Sequence, residues 1–223
     1  MTNTSTPEAT STDITLTTRD LHLLLEATVP FAIKAQHECL RCVNIAINNG
    51  RLQASATDQF RASSYRLHEG DDEYQATADA TFSIPLHKAK ELLRITKSLR
   101  RNQSLYTAHP TAITTITINH ADNTFTVHLP EGTTIAGDAT EGNYPHINKL
   151  FPRGADLEKS TNSRTAFDPI KAQEIYRAAA TLAKSLDTSG VLLRLPDKQG
   201  TPVSFRLQND EHWRAILMPM RLA

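Results

Sequence analysis

The sequence predicts an α+β protein built from three copies of one unit, in which a strand and a helix are followed by three more strands. The apolar residues alternate in strand-like runs, and these runs are interrupted by stretches with the helical spacing of three or four. Turn signals such as Asn49-Gly50 and Ala121-Asp122-Asn123 separate the alternating runs. Because strands and helix recur in the same order three times, we expect antiparallel sheets with helices on one face.

The first unit is predicted to open with the strand Asp13–Thr17, followed by a helix with Thr18 as its N-cap. Leucines spaced by three or four residues place one face of this helix against a core. Three strands are then expected at Leu40–Asn48, Arg51–Asp58 and Phe60–Leu67. The polar, acidic stretch His68–Ala80 is predicted to be a linking loop.

The second unit is predicted to open with Thr81–Ile84, and Pro85 is placed in the first turn of the helix Pro85–Arg101. The apolar face of this helix should pack on the sheet. It comprises Leu86, Ala89, Leu92, Leu93, Thr96 and Leu99. The strands are expected at Ala112–Asn119, Thr124–Leu129 and Thr133–Asp138.

The third unit is predicted to open with Arg164–Phe167, and Asp168-Pro169 should cap its helix and occupy the first helical position. The residues expected to face inward are Ile170, Ile175, Ala178, Ala179, Leu182 and Leu186. The closing strands are expected at Val191–Leu195, Val203–Gln208 and Trp213–Met218.

The composition is that of an ordinary globular chain, with 39% hydrophobic and 22% charged residues among 223. Its length allows one large or two small domains. No apolar run approaches the roughly 20 residues of a membrane helix. Residues 1–12 lack the basic start and apolar core of a signal peptide, so a disordered tail and a cytoplasmic location are expected.

The only cysteines, Cys39 and Cys42, follow His37 closely. These three residues could be part of a zinc site, and a metal-dependent hydrolase is one alternative function. The other interpretation places two buried thiols on opposite faces of a strand, where they neither bridge nor bind metal. No second ligand pair lies downstream, and the sequence lacks a phosphate-binding glycine loop and the motifs of hydrolases. We therefore expect no metal, no cofactor and no enzymatic activity.

The second helix is strongly one-sided in charge, although the chain as a whole balances 24 basic against 24 acidic residues. Its only acid is Glu91, and the opposing positions are His87, Lys88, Lys90, Arg94, Lys97, Arg100 and Arg101. The third helix repeats the bias through Lys171, Arg177 and Lys184. A solvated surface is the ordinary interpretation of such a stripe, but solvated surfaces usually mix both signs.

Three separated segments together resemble the bacterial DNA polymerase III β sliding clamp. They are Ala56–Ala62, the stretch from Gly142 to Pro152, and the ending Leu217–Ala223 with its Met218-Pro219-Met220. In that family the three segments meet to form one peptide-binding pocket. Methionine suits an adaptable surface, and Pro219 ends the last strand.

The resemblance implies a pocket lined by Thr57, Gln59, Phe60, Arg61, Ala62, Pro145, Leu150, Ile216, Met218, Pro219, Met220 and Arg221. Within the family's Thr-Asp-Gly-His-Arg-Leu stretch, Gln59 replaces glycine, Phe60 replaces histidine and Ala62 replaces leucine. The pocket floor should therefore be bulkier at one point and deeper at another, and we expect its preferred peptide to differ from that of the host clamp.

The resemblance also implies a domain organisation and a function. Residues 13–152 correspond to a complete clamp domain, 153–162 to a linker, and 163–223 to half a domain. The helices would face double-stranded DNA without reading its sequence, and the pocket would bind a polymerase and a clamp loader through short peptide motifs. The chain is thus expected to be a processivity factor of a phage or other mobile element. A decoy that binds clamp partners without encircling DNA is the alternative.

The number of units predicts the assembly. Clamp rings of this family contain twelve such units, six per chain in a dimer, so a chain with three units should form a homotetramer. The half-domain leaves a sheet edge that needs a partner, and pairing with the same half of a neighbour would rebuild a domain across a two-fold contact. The other contacts are expected between the first units of neighbouring chains.

Overall fold

The computed structural model describes residues 11–68, 74–101, 112–151, 166–195 and 201–220, without the side chains of residues 68, 100 and 101. Within these ranges the helices are α1 (Thr18–Ala32), α2 (Leu86–Arg101) and α3 (Pro169–Leu186). The strands of the first unit are β1 (Ser11–Thr17), β2 (Cys42–Ile47), β3 (Arg51–Thr57) and β4 (Arg61–His68). The second unit has β6 (Ala80–Pro85), β7 (Ile113–Asn119), β8 (Thr124–His128) and β9 (Thr134–Asp138), and a short β5 (Gln75–Ala76) precedes it. The third unit has β10 (Val191–Arg194), β11 (Val203–Leu207) and β12 (Trp213–Leu217).

The strands form two antiparallel sheets, with the orders β5-β1-β7-β8-β9 and β10-β11-β12-β4-β3-β2-β6. The first two units exchange their opening strands. β1 of the first unit pairs with β7 of the second, and β6 of the second pairs with β2 of the first. This reciprocal exchange of strands joins the first two units through both sheets.

The third unit extends the sheet of the first. β12 pairs with β4 over five residues, from Trp213 opposite Tyr65 to Leu217 opposite Arg61. The last strand of one unit therefore lies beside the last strand of another. Because β12 occupies this edge of β4, a contact between the first units of neighbouring chains would need another surface, and that contact stays a prediction.

The helices lie side by side against the sheets. α1 contacts both α2 and α3 and is buried along nearly its whole length. One large core joins the three units, from Ile14 and Leu21 to Ile175, Phe205 and Trp213. The predicted α+β fold, with helices on one face of antiparallel sheets, is confirmed. No described helix is both long and apolar enough to cross a membrane.

Local signals placed several boundaries correctly. Asp168 caps α3, its Oδ1 accepting from the N–H of Ile170 at 2.8 Å, and Pro169 begins the helix. Asn49 and Gly50 both have positive φ, of 52° and 65°, as the predicted tight hairpin requires.

Other local predictions were wrong by a few residues or in orientation. Thr17, not Thr18, caps α1, because its hydroxyl accepts from the N–H of Asp20 at 3.0 Å. Pro85 ends β6 instead of entering α2. Ile170 is 63% exposed because it lies in the first turn of α3, before the helix reaches the core.

Three predicted segments differ in kind or fall partly outside the described residues. The linking loop contains β5, which pairs with β1, and residues 69–73 of it are not described. In the predicted strand Arg164–Phe167, the described Ala166 and Phe167 are not part of a strand. The predicted tail includes Ser11 and Thr12, which belong to β1, and its other residues lie outside the described ranges.

Candidate peptide site and DNA-facing surface

The outer face of the paired strands β4 and β12 carries the apolar residues of the predicted pocket. Ala62 lies opposite Ile216, and both are 2% exposed. Two residues further along, the N–H of Met218 donates to the carbonyl of Phe60 at 2.9 Å, so the pairing continues beyond the strand. Since side chains two residues apart share a face, Phe60 and Met218 continue the column begun by Ala62 and Ile216.

A second, small core covers the inner end of this column. Ile147 and Phe151 are 5% and 3% exposed and pack against Ala62 and Ile216, with Tyr144 at the edge. Ile147 begins the 3₁₀ turn Ile147–Leu150 and Phe151 follows it, so this turn holds both side chains against the strands. The Arg214 guanidinium lies over the Phe151 ring, 4.8 Å from its centre. Phe151 thus fills the space opposite the small Ala62.

The outer end of the column is open. Phe60 is 47% exposed, Met218 37% and Met220 55%. The Lys171 ammonium lies 4.2 Å from the centre of the Phe60 ring. We call Phe60, Met218 and Met220 the apolar shelf. Large apolar side chains that are exposed beside a small buried core can bind an apolar side chain of another molecule.

The turn before Phe60 is fixed by short side-chain hydrogen bonds. The Thr57 hydroxyl donates to the carbonyl of Arg61 at 2.7 Å and accepts from the N–H of Gln59 at 3.1 Å. Asp58 Oδ1 accepts from the N–H groups of Phe60 and Arg61. Gln59 has a φ of 79°, a left-handed conformation that glycine adopts without strain. The glycine of the resembled stretch would suit this position.

Arg61 lies on the opposite face from the apolar shelf and is 2% exposed. Its Nε and Nη2 lie 3.0 and 2.9 Å from Asp58 Oδ2, and its Nη1 lies 2.6 Å from Glu174 Oε2. The guanidinium also stacks on Phe31. It therefore joins α1, β4 and α3 beneath the predicted pocket, and no part of its charge reaches the shelf.

The remaining predicted pocket residues occupy different surroundings. Leu150 is 48% exposed on the far side of the 3₁₀ turn, and Pro145 borders a polar cleft. Pro219 is half-buried, and Arg221 lies outside the described residues. Sequence reasoning missed Ile147 and Phe151, although their spacing of four is a helical signal that could have identified them.

The polar cleft lies behind the Tyr144–Asn148 segment, on the outer face of β2, β3 and β6, and has a volume of about 930 Å³. Its lining includes Asn44, Asn48, Ser55, Ser83, Asn123 and Asn143. Burial raises the pKa of the Tyr144 phenol well above its usual value. Burial likewise raises the pKa of the nearby Cys42 thiol to about 11.

The cysteines do not form a metal centre with the groups around them. Cys39 lies in the 3₁₀ turn Glu38–Leu40, not in β2, and the Cys42 thiol donates to its carbonyl at 3.3 Å. The expected placement on opposite faces of one strand is therefore wrong, although both thiols are free. Among the described residues no three histidine, cysteine or carboxylate side chains are placed to hold a metal ion.

The exposed face of the helix layer carries the predicted basic residues. His87, Lys90, Arg94 and Lys97 are exposed on α2 and Lys88 is half-buried, 3.7 Å from Glu91. On α3, Arg177 and Lys184 are exposed, while Lys171 is turned towards Asp58 and Phe60. The side chains of Arg100 and Arg101 lie outside the described structure.

The basic residues of different units meet around α1. Lys97 of α2 and Arg177 of α3 line one shallow cavity together with Lys34, which lies just after the end of α1. The acids at this cavity are already engaged, since Glu174 pairs with Arg61 and Lys34. Glu26 accepts from the Ser185 hydroxyl at 2.9 Å and lies 3.6 Å from His22 Nε2. With these acids engaged, Lys97 of α2 and Arg177 of α3 leave an excess of positive charge at this cavity.

Comparison with known proteins identifies the fold. No family profile and no curated protein matches the sequence. Solved structures do match: the DNA polymerase sliding clamp of Pseudomonas aeruginosa has a TM-score of 0.70 at 13% identity, over 100% of this chain and 69% of that one. The β subunit of DNA polymerase III from Thermotoga maritima has a TM-score of 0.69 at 14% identity, over 98% and 68%. The Bacillus subtilis clamp has a TM-score of 0.68 at 15% identity, over 100% and 67%. The chain therefore has the fold of the bacterial DNA polymerase III β sliding clamp.

Proposed function

We propose that the protein is a non-enzymatic processivity factor that closes around duplex DNA as a homo-oligomeric ring and tethers a polymerase in the cytoplasm. The observation that carries this proposal is the excess of basic residues on the exposed side of α2 and α3 in a clamp fold. Lys97 of α2 and Arg177 of α3 line one cavity with Lys34, which lies just after the end of α1. Long cations without aromatic platforms hold phosphates loosely and read no bases, as a sliding protein requires.

The opposite side of the sheet supports the tethering role. The apolar shelf of Phe60, Met218 and Met220 is exposed there, next to the closed core of Ala62, Ile216, Ile147 and Phe151. A short peptide from a polymerase or clamp loader would place a leucine or phenylalanine against the shelf. DNA and partner would then occupy opposite faces of the chain and would not compete.

Ring closure follows from the contacts already present inside the chain. β4 and β12 demonstrate one way for two units to join, with last strand beside last strand. β9, the last strand of the second unit, has a neighbour on one side only among the described strands. Pairing of β9 with β9 of another chain would repeat the β4–β12 contact. With a second contact at the third unit, four chains would supply the twelve units of a closed ring.

A topological assay tests this function. The protein is incubated with linear duplex DNA biotinylated at both ends, the ends are blocked with streptavidin, and the complex is washed at high salt. An encircling ring stays on blocked DNA and is released when a restriction enzyme cuts the duplex. A protein bound only by charge leaves at high salt whether or not the ends are blocked. Equal loss from blocked and open DNA would overturn the encircling role.

A further inference from the structure

Among the described strands, none completes the third unit as the first two units complete each other. β2 of the first unit is covered on its outer edge by β6, the opening strand of the second unit. In the third unit, the strand that corresponds to β2 is β10. Among the described strands, β10 pairs only with β11. Leu192, Leu193 and Leu195 at this edge are 43%, 44% and 40% exposed. Apolar side chains on an unpaired strand invite the addition of another strand.

The segment that could fill such an edge is also present and correctly placed. Ser83 and Ala166 each lie three residues before their helix, α2 or α3. The carbonyl of Ser83 accepts from the N–H of Thr140, just after β9, at 2.8 Å. The carbonyl of Ala166 accepts from the N–H of Met220, just after β12, also at 2.8 Å. The segment at Ala166 is thus hydrogen-bonded to its own unit in the same way as β6. No described strand, however, pairs with this segment as β2 pairs with β6.

Part of the side of α3 turned away from α1 is exposed. Glu174, Ala178 and Thr181 face α1, so helical spacing places Tyr176 and Ala180 on the other side, where both are exposed. Tyr176 is 45% exposed and leans edge-on against Phe205. This side carries no lysine, arginine or glutamate along its middle turns. Two such helices can approach without charge repulsion, as α1 and α2 do within the first domain.

We infer that the third units of two chains complete each other by exchanging their opening segments, so that residues 166–168 of each chain pair with β10 of the other. The partner is a second copy of this chain, because the third unit supplies both the edge of β10 and the segment that can pair with it. A two-fold contact would form both pairings at once. The inference rests on the proposed ring for the number of chains and specifies one of its two contacts. The bulk of the new interface would be leucine side chains and the Tyr176 faces of the two helices.

The register follows from the internal template. Ile84 lies two residues before α2 and pairs with Val43, the first core-facing residue of β2. Phe167 lies two residues before α3, and Val191, opposite the buried Leu207, is the first core-facing residue of β10. Phe167 should therefore lie opposite Val191 of the other chain, and Ala166 opposite Leu192, because a shift by one would reverse the faces.

Cysteine cross-linking tests this register on the full chain. In a Cys39→Ser background, Ala166→Cys with Leu192→Cys should give a disulfide-linked dimer under mild oxidation. The matched control, Ala166→Cys with Leu193→Cys, is off register by one residue and should cross-link at least fivefold less. Equal cross-linking of both pairs, or cross-linking of neither, would overturn the register and the exchange.

The mass of the assembly gives an independent readout. Leu192→Lys with Leu193→Lys should halve the native mass measured by light scattering, from four times to twice 24.7 kDa for the proposed ring. Ile113→Lys, at an exposed apolar residue on β7, should leave it unchanged. An unchanged mass in the double variant, or a wild-type protein that stays a single chain at micromolar concentration, overturns the inference. If the protein were a single chain but still bound a peptide at the apolar shelf, the tethering role would stand and only the exchange between chains would fail. Failure of this inference can therefore be distinguished from failure of the proposed function.

Discussion

Arg61 of β4 and Glu174 of α3 form an ion pair between the first and third units, with Nη1 2.6 Å from Oε2. The arginine side chain is 1% exposed and the glutamate 21%. Asp58 holds the other side of the guanidinium, so the positive charge is matched on both sides. This buried contact, together with the β4–β12 pairing, fixes the third unit to the first.

Removal of Glu174 should loosen that attachment. Glu174→Ala leaves one side of a buried guanidinium unpaired and should lower the free energy of unfolding by about 2–4 kcal/mol. Lys34→Ala is the matched control, because Lys34 pairs with the same carboxylate but is 54% exposed. That change should cost less than about 1 kcal/mol. Urea denaturation measures both, and equal effects would show that burial does not distinguish the two pairs.

Replacement of Gln59 by glycine should stabilise the protein. Gln59 holds a φ of 79°, where a side chain is strained and glycine is not. Gln59→Gly should raise the free energy of unfolding by up to about 1 kcal/mol, keeping the backbone hydrogen bond to Thr57. Gln173→Gly, in the exposed part of α3, should instead lower it by about 1 kcal/mol. Thermal and urea unfolding provide the comparison, and a loss of stability in Gln59→Gly would contradict the strain argument.

Charge reversal on α2 should weaken DNA binding. Arg94→Glu with Lys97→Glu removes two cations from the positive surface of the helices. The slope of log affinity against log salt concentration should fall by about 2, since each phosphate contact contributes roughly 0.9. Fluorescence anisotropy with a labelled duplex measures this slope.

The control for charge reversal changes the same net charge on the other side of the chain. Arg51 and Lys149 are exposed away from the helix layer, and Arg51→Glu with Lys149→Glu should leave the slope nearly unchanged. If both variants lose affinity equally, total charge rather than the helix surface determines binding.

Truncation of the apolar shelf should weaken partner binding without unfolding the protein. Met218 and Met220 lie beyond β12 and are substantially exposed, so Met218→Ala with Met220→Ala removes little from the core. Affinity for a peptide selected against the wild-type chain from a random display library should fall about tenfold to hundredfold. Isothermal titration calorimetry measures it, with unfolding curves as the check on stability.

A control for the shelf is Leu150→Ala, which removes an equally exposed side chain from the far side of the 3₁₀ turn. The sequence alone placed Leu150 in the pocket, whereas the apolar shelf does not include it. The two variants therefore test which of these side chains bind the peptide. Loss of peptide binding in Leu150→Ala with normal binding in the methionine variant would move the site towards Leu150.

Local patterns in the sequence were sufficient for the repeated unit. The alternation of apolar residues, the turn at Asn49-Gly50 and the cap at Asp168 depend on interactions within a few residues, and each appears where predicted. The basic stripe of α2 is also a local property, because helical spacing alone decides which side chains share a face. The three segments of the pocket region could be grouped only through resemblance to a known family.

Tertiary structure decided the features that join distant parts of the chain. It turned Arg61 away from the predicted pocket and buried it against Glu174, and it placed Phe151 instead of Leu150 against Ala62 and Ile216. It also placed β12 beside β4. The physical reason is that strand pairing and burial depend on partners far away along the chain, and no local spacing encodes which partner pairs with an open edge.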